Sequence, residues 1–156
     1  MKRGVLYRFV VFLILNLIAL MIGGLFTSDG VTSEWYQSLN KAPWTPEGWV
    51  FGAAWGIVML SFSMFMAYAW VKSEDTTGLL YVFIFQFLLN TSWNFFFFGL
   101  NNVGLALIDI AALTTVIFYL LFRYMRPLKF NTIYILPYAA WMCIALSLNT
   151  YIYLQN

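Results

Sequence analysis

Long apolar runs alternate with short polar segments along the chain, and the runs share one characteristic length. A helix needs about 20 residues, at 1.5 Å per residue, to cross roughly 30 Å of hydrocarbon. Runs of this kind cover residues 5–26, 49–71, 79–100, 103–122 and 131–154. The pattern predicts an all-α integral membrane bundle of five transmembrane helices that forms a single domain over residues 1–156.

Two other interpretations of the apolar runs fit the sequence less well. A transmembrane β-barrel would show segments of about 10 residues in which apolar and polar positions alternate, and the runs here are continuous. The first run follows Lys2, Arg3 and Arg8, as a signal peptide would, but it exceeds the roughly 7–15 residues of a signal core. We therefore expect a retained first helix.

Composition supports the membrane assignment. Of the 156 residues, 63% are hydrophobic and only 9% are charged, whereas a soluble domain carries about 25% charged residues. A lipid bilayer is therefore the expected surroundings of the chain.

The positions of the basic residues predict the orientation, because Lys and Arg near helix ends are retained in the cytoplasm. Only Lys41 lies on the side of the long first loop. The opposite side carries Lys2, Arg3, Arg8, Lys72, Arg123, Arg126 and Lys129. We expect a cytoplasmic N-terminus. The net charge of +2 reports this topology and gives no indication of a nucleic-acid partner.

Missing residue types narrow the chemistry. The chain has no histidine and one cysteine, Cys143. A Ser-His-Asp triad, histidine-ligated haem, a histidine-based metal site and an internal disulfide are therefore excluded. We expect no metal site and no required cofactor, and Cys143 to be a small apolar packing residue. Aromatic rings and amides remain as the chemically distinctive groups.

The first loop, TSDGVTSEWYQSLNKAPWTPEG, is the longest predicted extramembrane segment. It contains Trp35, Tyr36 and Trp44, and Pro43 and Pro46 restrict its backbone. Such rings favour the membrane interface whatever the function. Alternatively, the loop is a lid that folds over the mouth of the bundle and closes a pocket. The sequence leaves both open.

The second run presents two faces. Phe51, Trp55 and Met59 follow at intervals of four and form an aromatic stripe. An adjacent face carries glycine at every fourth position, at Gly48, Gly52 and Gly56. Small residues let another helix approach closely, either within the bundle or in a dimer. Of these two uses, packing within the bundle is the favoured expectation.

In the third run, Gln86, Asn90, Trp93, Asn94 and Phe97 share one face. Amides are costly in lipid unless they are hydrogen-bonded, so this face is expected to point into the bundle. The amides either join helices or orient a ligand beside Trp93, and the sequence does not separate these roles.

The fifth run also places aromatic and amide side chains on one face. Trp141, Ala145 and Asn149 follow at intervals of four, with Tyr138 one turn before Trp141. We expect Pro137 to bend this helix and open space beside Trp141.

One ionisable residue, Asp109, is predicted deep within a span. An intramembrane acid is a functional candidate by default. No basic residue lies at a comparable depth in another span, so we expect Asp109 to be protonated, or hydrogen-bonded to Trp, Tyr or amide groups, and to serve structure.

Several blocks of residues together resemble the translocator protein family, which is also called the tryptophan-rich sensory protein or peripheral benzodiazepine receptor family. The first blocks are Trp35, Tyr36, Pro43, Trp44, Pro46, Gly48, Trp49, Phe51, Gly52 and Trp55. The later ones are Gln86, Asn90, Trp93, Phe98, Gly99, Pro137, Tyr138, Trp141, Ala145, Leu148 and Asn149.

The resemblance implies a five-helix bundle, usually a homodimer, that binds protoporphyrin IX and other porphyrins, sterols or flat drugs beneath the first loop. The positions that match the family's ligand site are Tyr36, Pro46, Trp55, Asn90, Trp93, Asn94, Trp141 and Ala145. We add Trp49 and Phe51 from the same blocks. The implied location is the bacterial cell membrane, or the mitochondrial outer membrane in a eukaryote.

Two departures from the family pattern affect the expected ligand. Glu47 stands where the family usually has a second proline, which predicts a less rigid or more acidic lid. The cholesterol motif after Asn149 lacks its basic residue, since Tyr151 and Tyr153 are followed by Leu, Gln and Asn. A sterol is therefore less favoured than a porphyrin.

Three functions remain open. The first is a receptor, sensor or transporter for porphyrins and similar hydrophobic molecules. The second is an enzyme that degrades protoporphyrin in light and oxygen, for which the resemblance implies Trp55 and Trp141 as the catalytic residues. The third is a scaffolding membrane subunit without a ligand.

Overall fold

A computed structural model describes residues 3–156, so Lys2, which was counted with the basic residues, lies outside the described residues. The described chain is helical and contains no strand. Its five long helices are α1 (Arg3–Gly30), α3 (Gly48–Lys72), α4 (Thr76–Asn94), α5 (Val103–Leu128) and α6 (Leu136–Gln155). A short helix, α2 (Glu34–Ser38), lies in the first loop. The all-α membrane bundle expected from the sequence is confirmed.

Within residues 3–156, four helical stretches are long and apolar enough to span a membrane. The last, Val103–Gln155, has 53 residues and comprises α5, a 3-10 segment (Lys129–Ile135) and α6. The amide of Asn149, near the end of α6, donates to the carbonyl of Val103, at the start of α5, at 3.3 Å. The two helices are therefore antiparallel, and the stretch supplies two crossings.

Side-chain caps and prolines set the helix ends. Asp75 accepts from the backbone N–H of Gly78 at 2.7 Å, and Asn102 accepts from that of Leu105 at 2.9 Å. Each cap satisfies a backbone donor that the first turn would leave unpaired. Pro137 lies in the first turn of α6, where it removes no internal hydrogen bond. The expected bend at Pro137 is therefore wrong: the proline begins the helix.

The helices form a ring in which α3, α1, α4, α5 and α6 follow one another and α6 returns to α3. Close approach of α1 to α4 depends on glycine: a Cβ at Gly30 would overlap the ring of Phe98, and a Cβ at Gly23 would lie 2.6 Å from the amide nitrogen of Asn94. The residues of the core are fully buried around Phe62, Phe65 and Tyr138.

Gly48, Gly52 and Gly56 do not pack within the bundle. All three are exposed, and a Cβ added to any of them would meet no atom within 4 Å. The favoured expectation of intramolecular packing is therefore wrong. This face of α3 points outward and is available to another molecule.

Just after α4 the backbone makes a turn that the sequence did not predict. Phe95–Gly99 forms a π-helical turn, and Asn101 then takes a left-handed conformation with φ 51°. A π-helical turn rotates the following side chains relative to an ordinary α-helix. It directs Phe97 and Phe98 toward the first loop, where they contact Tyr36.

Candidate functional site

Four aromatic rings from α3 and α6 meet where these two helices face each other. The ring of Trp141 lies edge-on to Phe51, with centroids 5.5 Å apart, and to Trp55, with centroids 6.4 Å apart. Trp55 also meets Tyr138 edge-on at 6.0 Å. We call Phe51, Trp55, Tyr138 and Trp141 the ring cluster. Edge-to-face contacts of this kind favour a fixed relative orientation of the rings.

Tyr138 links the ring cluster to α4. Its hydroxyl oxygen accepts a hydrogen bond from Gln86 Nε2 at 2.8 Å and one from Asn90 Nδ2 at 2.7 Å. All three side chains are buried. Of the two roles left open for these amides, the hydrogen bonds support the joining of helices, because both amides hold a residue of α6 in place.

Two polar atoms of this region have no protein partner. The indole nitrogen of Trp141 and the amide oxygen of Gln86 are buried without a hydrogen bond. A buried unsatisfied group costs about 1–3 kcal/mol. A guest that offered an acceptor to the Trp141 N–H would therefore recover part of this free energy on binding.

Trp93 belongs to a second group of rings. It stacks on Phe97 with centroids 5.1 Å apart and planes at 17°, and its indole N–H donates to Asn149 Oδ1 at 2.9 Å. Trp35 and Tyr36 of the first loop meet Phe97 from the other side, at 5.4 and 6.2 Å. The indoles of α3 and α6 therefore converge, whereas the α4 indole lies directly beneath the loop.

The first loop is fastened to the end of α6. Asn156 Oδ1 accepts from the backbone N–H of Asn40 at 2.9 Å, and the amide of Asn40 donates to the Gln155 carbonyl at 3.1 Å. The indole N–H of Trp44 donates to Ser147 Oγ at 3.2 Å. We call these contacts the loop latch. They support the lid interpretation of the loop, since they hold it across the outer end of the bundle.

Tyr36 lies inside the loop, beneath a cation. The ammonium group of Lys41 lies 4.2 Å from the centroid of the Tyr36 ring. Burial raises the pKa of the Tyr36 phenol above its usual value, because the charged form loses solvation. The phenol is therefore a neutral hydroxyl at physiological pH.

Other residues predicted for the ligand site lie apart from the ring cluster. Trp49 is 71% exposed, and its N–H donates to Glu47 Oε2 at 2.8 Å. Asn94 accepts from Thr27 of α1 at 2.7 Å and so serves the contact between α1 and α4. Pro46 is half-buried in the loop just before α3.

Ala145 lies on α6 one turn after Trp141. It is half-buried and packs at the edge of the core that contains the ring cluster. Its role in a ligand site stays a prediction.

Asp109 of α5 forms a hydrogen bond with a residue of α4. Its Oδ1 atom accepts from the hydroxyl of Ser92 at 2.7 Å, while Oδ2 is buried without a partner. Of the two expectations for Asp109, a hydrogen bond to an aromatic or amide group is not observed, because its partner among residues 3–156 is the hydroxyl of Ser92. The other expectation, a protonated carboxyl group, stays a prediction.

Two recesses open from the bundle surface. The first has a volume of about 200 Å³ and lies between α3 and α6; Ala54, Ile57, Val58, Pro137, Ala140, Trp141 and Ile144 line it. The second, of about 300 Å³, lies beside Trp35 and Tyr153 near the start of α5. Small-molecule sites typically occupy roughly 300–1,000 Å³. A large planar guest would therefore require the helices to separate further.

Comparison with known proteins gives consistent matches. The model of the TspO/MBR family matches residues 10–154. The "Tryptophan-rich protein TspO" of Archaeoglobus fulgidus is 31% identical over 144 residues, which are 92% of this chain and 94% of that protein. The human "Translocator protein" is 31% identical over 133 residues, 79% of this chain and 75% of the relative. The "Tryptophan-rich sensory protein" of Cereibacter sphaeroides is 30% identical over 117 residues, which are 74% of this chain and 73% of that protein.

Proposed function

Because the chain belongs to the TspO/MBR family, we propose that it is a membrane receptor or sensor that binds protoporphyrin IX and related flat hydrophobic molecules at the ring cluster. The observation that carries the proposal is the unpartnered, buried N–H of Trp141 beside three further aromatic rings. The rings offer apolar faces and edges to a flat guest. The indole N–H offers a donor to a carbonyl or carboxylate at its margin.

The loop latch supports the same assignment. A loop fixed at Asn40 and Trp44 lies across the outer end of the bundle and limits the access of water from that side. Polar contacts are stronger where water is excluded. Lys41 lies on the same side of the bundle and is a cation for the carboxylates of a porphyrin. Binding requires no resident cofactor.

Binding can be measured by titrating protoporphyrin IX into the protein in lipid nanodiscs and recording tryptophan fluorescence. We expect saturable quenching at micromolar porphyrin, and a much smaller effect in an Ala145→Leu variant, because the added side chain crowds Trp141. Ala53, which is exposed on α3, supplies the control Ala53→Leu. Equal quenching in the parent and in Ala145→Leu would contradict the placement at the ring cluster. No quenching in the parent would favour a scaffolding subunit.

A second candidate, light-dependent porphyrin degradation, is favoured by the contact between Trp55 and Trp141. Two adjoining indoles beside an excited porphyrin are placed for oxidation by the oxygen species that it generates. Illumination followed by mass spectrometry distinguishes an enzyme from collateral damage. A catalyst consumes many porphyrins per chain and retains its indoles, whereas a bystander loses its own tryptophans first.

We also propose that the chain is a homodimer whose copies meet at the exposed glycine face of α3. Gly48, Gly52 and Gly56 let two helices approach closely. Chemical cross-linking in membranes would detect the dimer, and Gly52→Leu is expected to weaken it. A cross-linked dimer that survives this substitution would place the interface elsewhere.

The orientation and the membrane are likewise part of the proposal. Arg3, Lys72, Arg123, Arg126 and Lys129 lie at one end of the described bundle, and Lys41 lies at the other. This distribution supports a cytoplasmic N-terminus. We place the chain in a bacterial cell membrane, or in the mitochondrial outer membrane if its source is a eukaryote. Labelling of an Asn40→Cys variant with a thiol reagent from outside intact cells would test this orientation.

A further inference from the structure

Helix pairs around the ring are not held together equally. Side-chain hydrogen bonds join α1 to α3 through Asn16 and Ser63, and α1 to α4 through Thr27 and Asn94. Similar bonds join α4 to α5, through Ser92 and Asp109, and α5 to α6, through Asn149 and Val103. Among the described residues, α3 and α6 share only apolar and aromatic contacts, and they make the smallest contact of the adjacent long helices.

The first recess lies on this weakest seam. Its lining is almost wholly apolar, with α3 contributing one wall and α6 the other. Ile57 and Ile144 stand at its mouth and are 60% and 41% exposed. Trp141 forms its inner wall and contacts Trp55 on the other side. One indole therefore separates the recess from the interior of the ring cluster.

The opposite ends of the seam are closed. At the outer end, the loop latch binds Asn40 to Asn156 and Trp44 to Ser147. At the inner end, Tyr68 of α3 stacks on Tyr134 of the 3-10 segment, with centroids 5.8 Å apart and planes at 8°. The middle of the seam, between α3 and α6, is therefore the least obstructed route to Trp141.

We propose that the ligand enters the ring cluster sideways from the hydrocarbon of the bilayer, between α3 and α6, while the first loop stays latched. The inference rests on the proposed function and specifies its route. A flat apolar molecule partitions into lipid, so its concentration beside the recess exceeds its concentration in water at the loop. Ala54 and Ala140 line the recess with small side chains. Among residues 3–156, no side-chain hydrogen bond between α3 and α6 has to break for the seam to widen.

The test compares a blocked seam with a locked loop. Ala140→Phe fills the mouth of the recess; Ala53→Phe adds the same bulk to an exposed position of α3 outside its lining. In a second protein, Asn40→Cys and Asn156→Cys are joined by a short thiol cross-linker. This protein also carries Cys143→Ser, because Cys143 is exposed and the expected buried packing role is wrong. Protoporphyrin IX in lipid vesicles is mixed with each protein in nanodiscs, and the quenching rate is followed by stopped flow.

We expect Ala140→Phe to slow association about tenfold, which corresponds to ~1.4 kcal/mol of added barrier. Ala53→Phe and the cross-linked protein should associate at the parental rate. Thermal unfolding of each variant shows that it is folded. Gly52→Phe adds bulk to the exposed glycine face of α3, and it tests whether the ligand enters along that face instead.

Three results would overturn the inference. Loss of association in the cross-linked protein, with Ala140→Phe unaffected, would place the entrance at the loop. Slowing by Gly52→Phe alone would place the entrance at the exposed glycine face of α3. A parent protein without any quenching would overturn the proposed function itself, and so is distinguished from failure of the route alone.

Discussion

Tyr138 and Asn90 are joined by a buried hydrogen bond of 2.7 Å that connects the middle of α4 to the start of α6 across the bundle. Because Tyr138 also contacts Trp55, this bond fixes the position of the ring cluster relative to three helices. The stability of the bundle and the geometry of the proposed site therefore both depend on the side chain of Tyr138.

The first prediction concerns this bond. Tyr138→Phe removes the acceptor for both Asn90 and Gln86 and leaves two buried amide donors unpaired. We expect the free energy of unfolding to fall by about 2–4 kcal/mol, measured by thermal or denaturant unfolding in detergent. Tyr153→Phe is the control, because Tyr153 is 54% exposed. Equal stability of the two variants would show that the amides find other partners.

The second prediction separates the Trp141 ring from its N–H. Trp141→Phe keeps an aromatic wall but removes the unpartnered donor. Affinity for protoporphyrin IX should fall only about two- to tenfold, the worth of one hydrogen bond, while any photodegradation should fall further. Titration and illumination of the same samples measure both effects. Trp49→Phe, at an exposed position outside the ring cluster, should change neither.

A third prediction concerns the contact between α1 and the π-helical turn. Gly30→Ala places a Cβ against the Phe98 ring, and overpacking of this kind costs about 1–3 kcal/mol. Thermal unfolding should show a lowered midpoint. Gly24→Ala is the matched control, since a Cβ there meets nothing within 4 Å. It should be neutral or slightly stabilising, because alanine favours helix more than glycine does. A destabilised control with an unaffected Gly30→Ala would contradict the packing described.

The fourth prediction concerns Asp109. The carboxyl group is buried, bonds only to Ser92 and has no cation within salt-bridge distance among residues 3–156. We expect it to be protonated at neutral pH, because an unpaired charge at this depth is costly. Infrared spectroscopy should show a carboxylic acid carbonyl band that disappears in Asp109→Asn. An ionised carboxylate signal from Asp109 at pH 7 would contradict this.

The sequence alone was sufficient where the residues of one segment determine its structure. Runs of about 20 apolar residues can only cross lipid as helices, since each backbone group must be paired within the segment. The residue blocks from Trp35 to Asn149 identified the family, which the comparisons confirm.

Faces and partners were harder to predict, because apolar residues surround each helix on all sides and periodicity does not show which side is inward. Trp49 and Trp55 lie in the same run, yet one is exposed and the other meets Trp141. Gly48, Gly52 and Gly56 were expected inside the bundle and lie outside it.

By itself, then, the sequence determined that this protein is a helical membrane bundle of the TspO/MBR family with an aromatic first loop. Only the tertiary structure decided that Tyr138 collects both amides, that the loop is latched through Asn40, and that the seam between α3 and α6 carries no hydrogen bond. The reason is physical. Crossing a bilayer is a property of one segment and its solvent, whereas a hydrogen bond or a gap between helices depends on how distant segments meet.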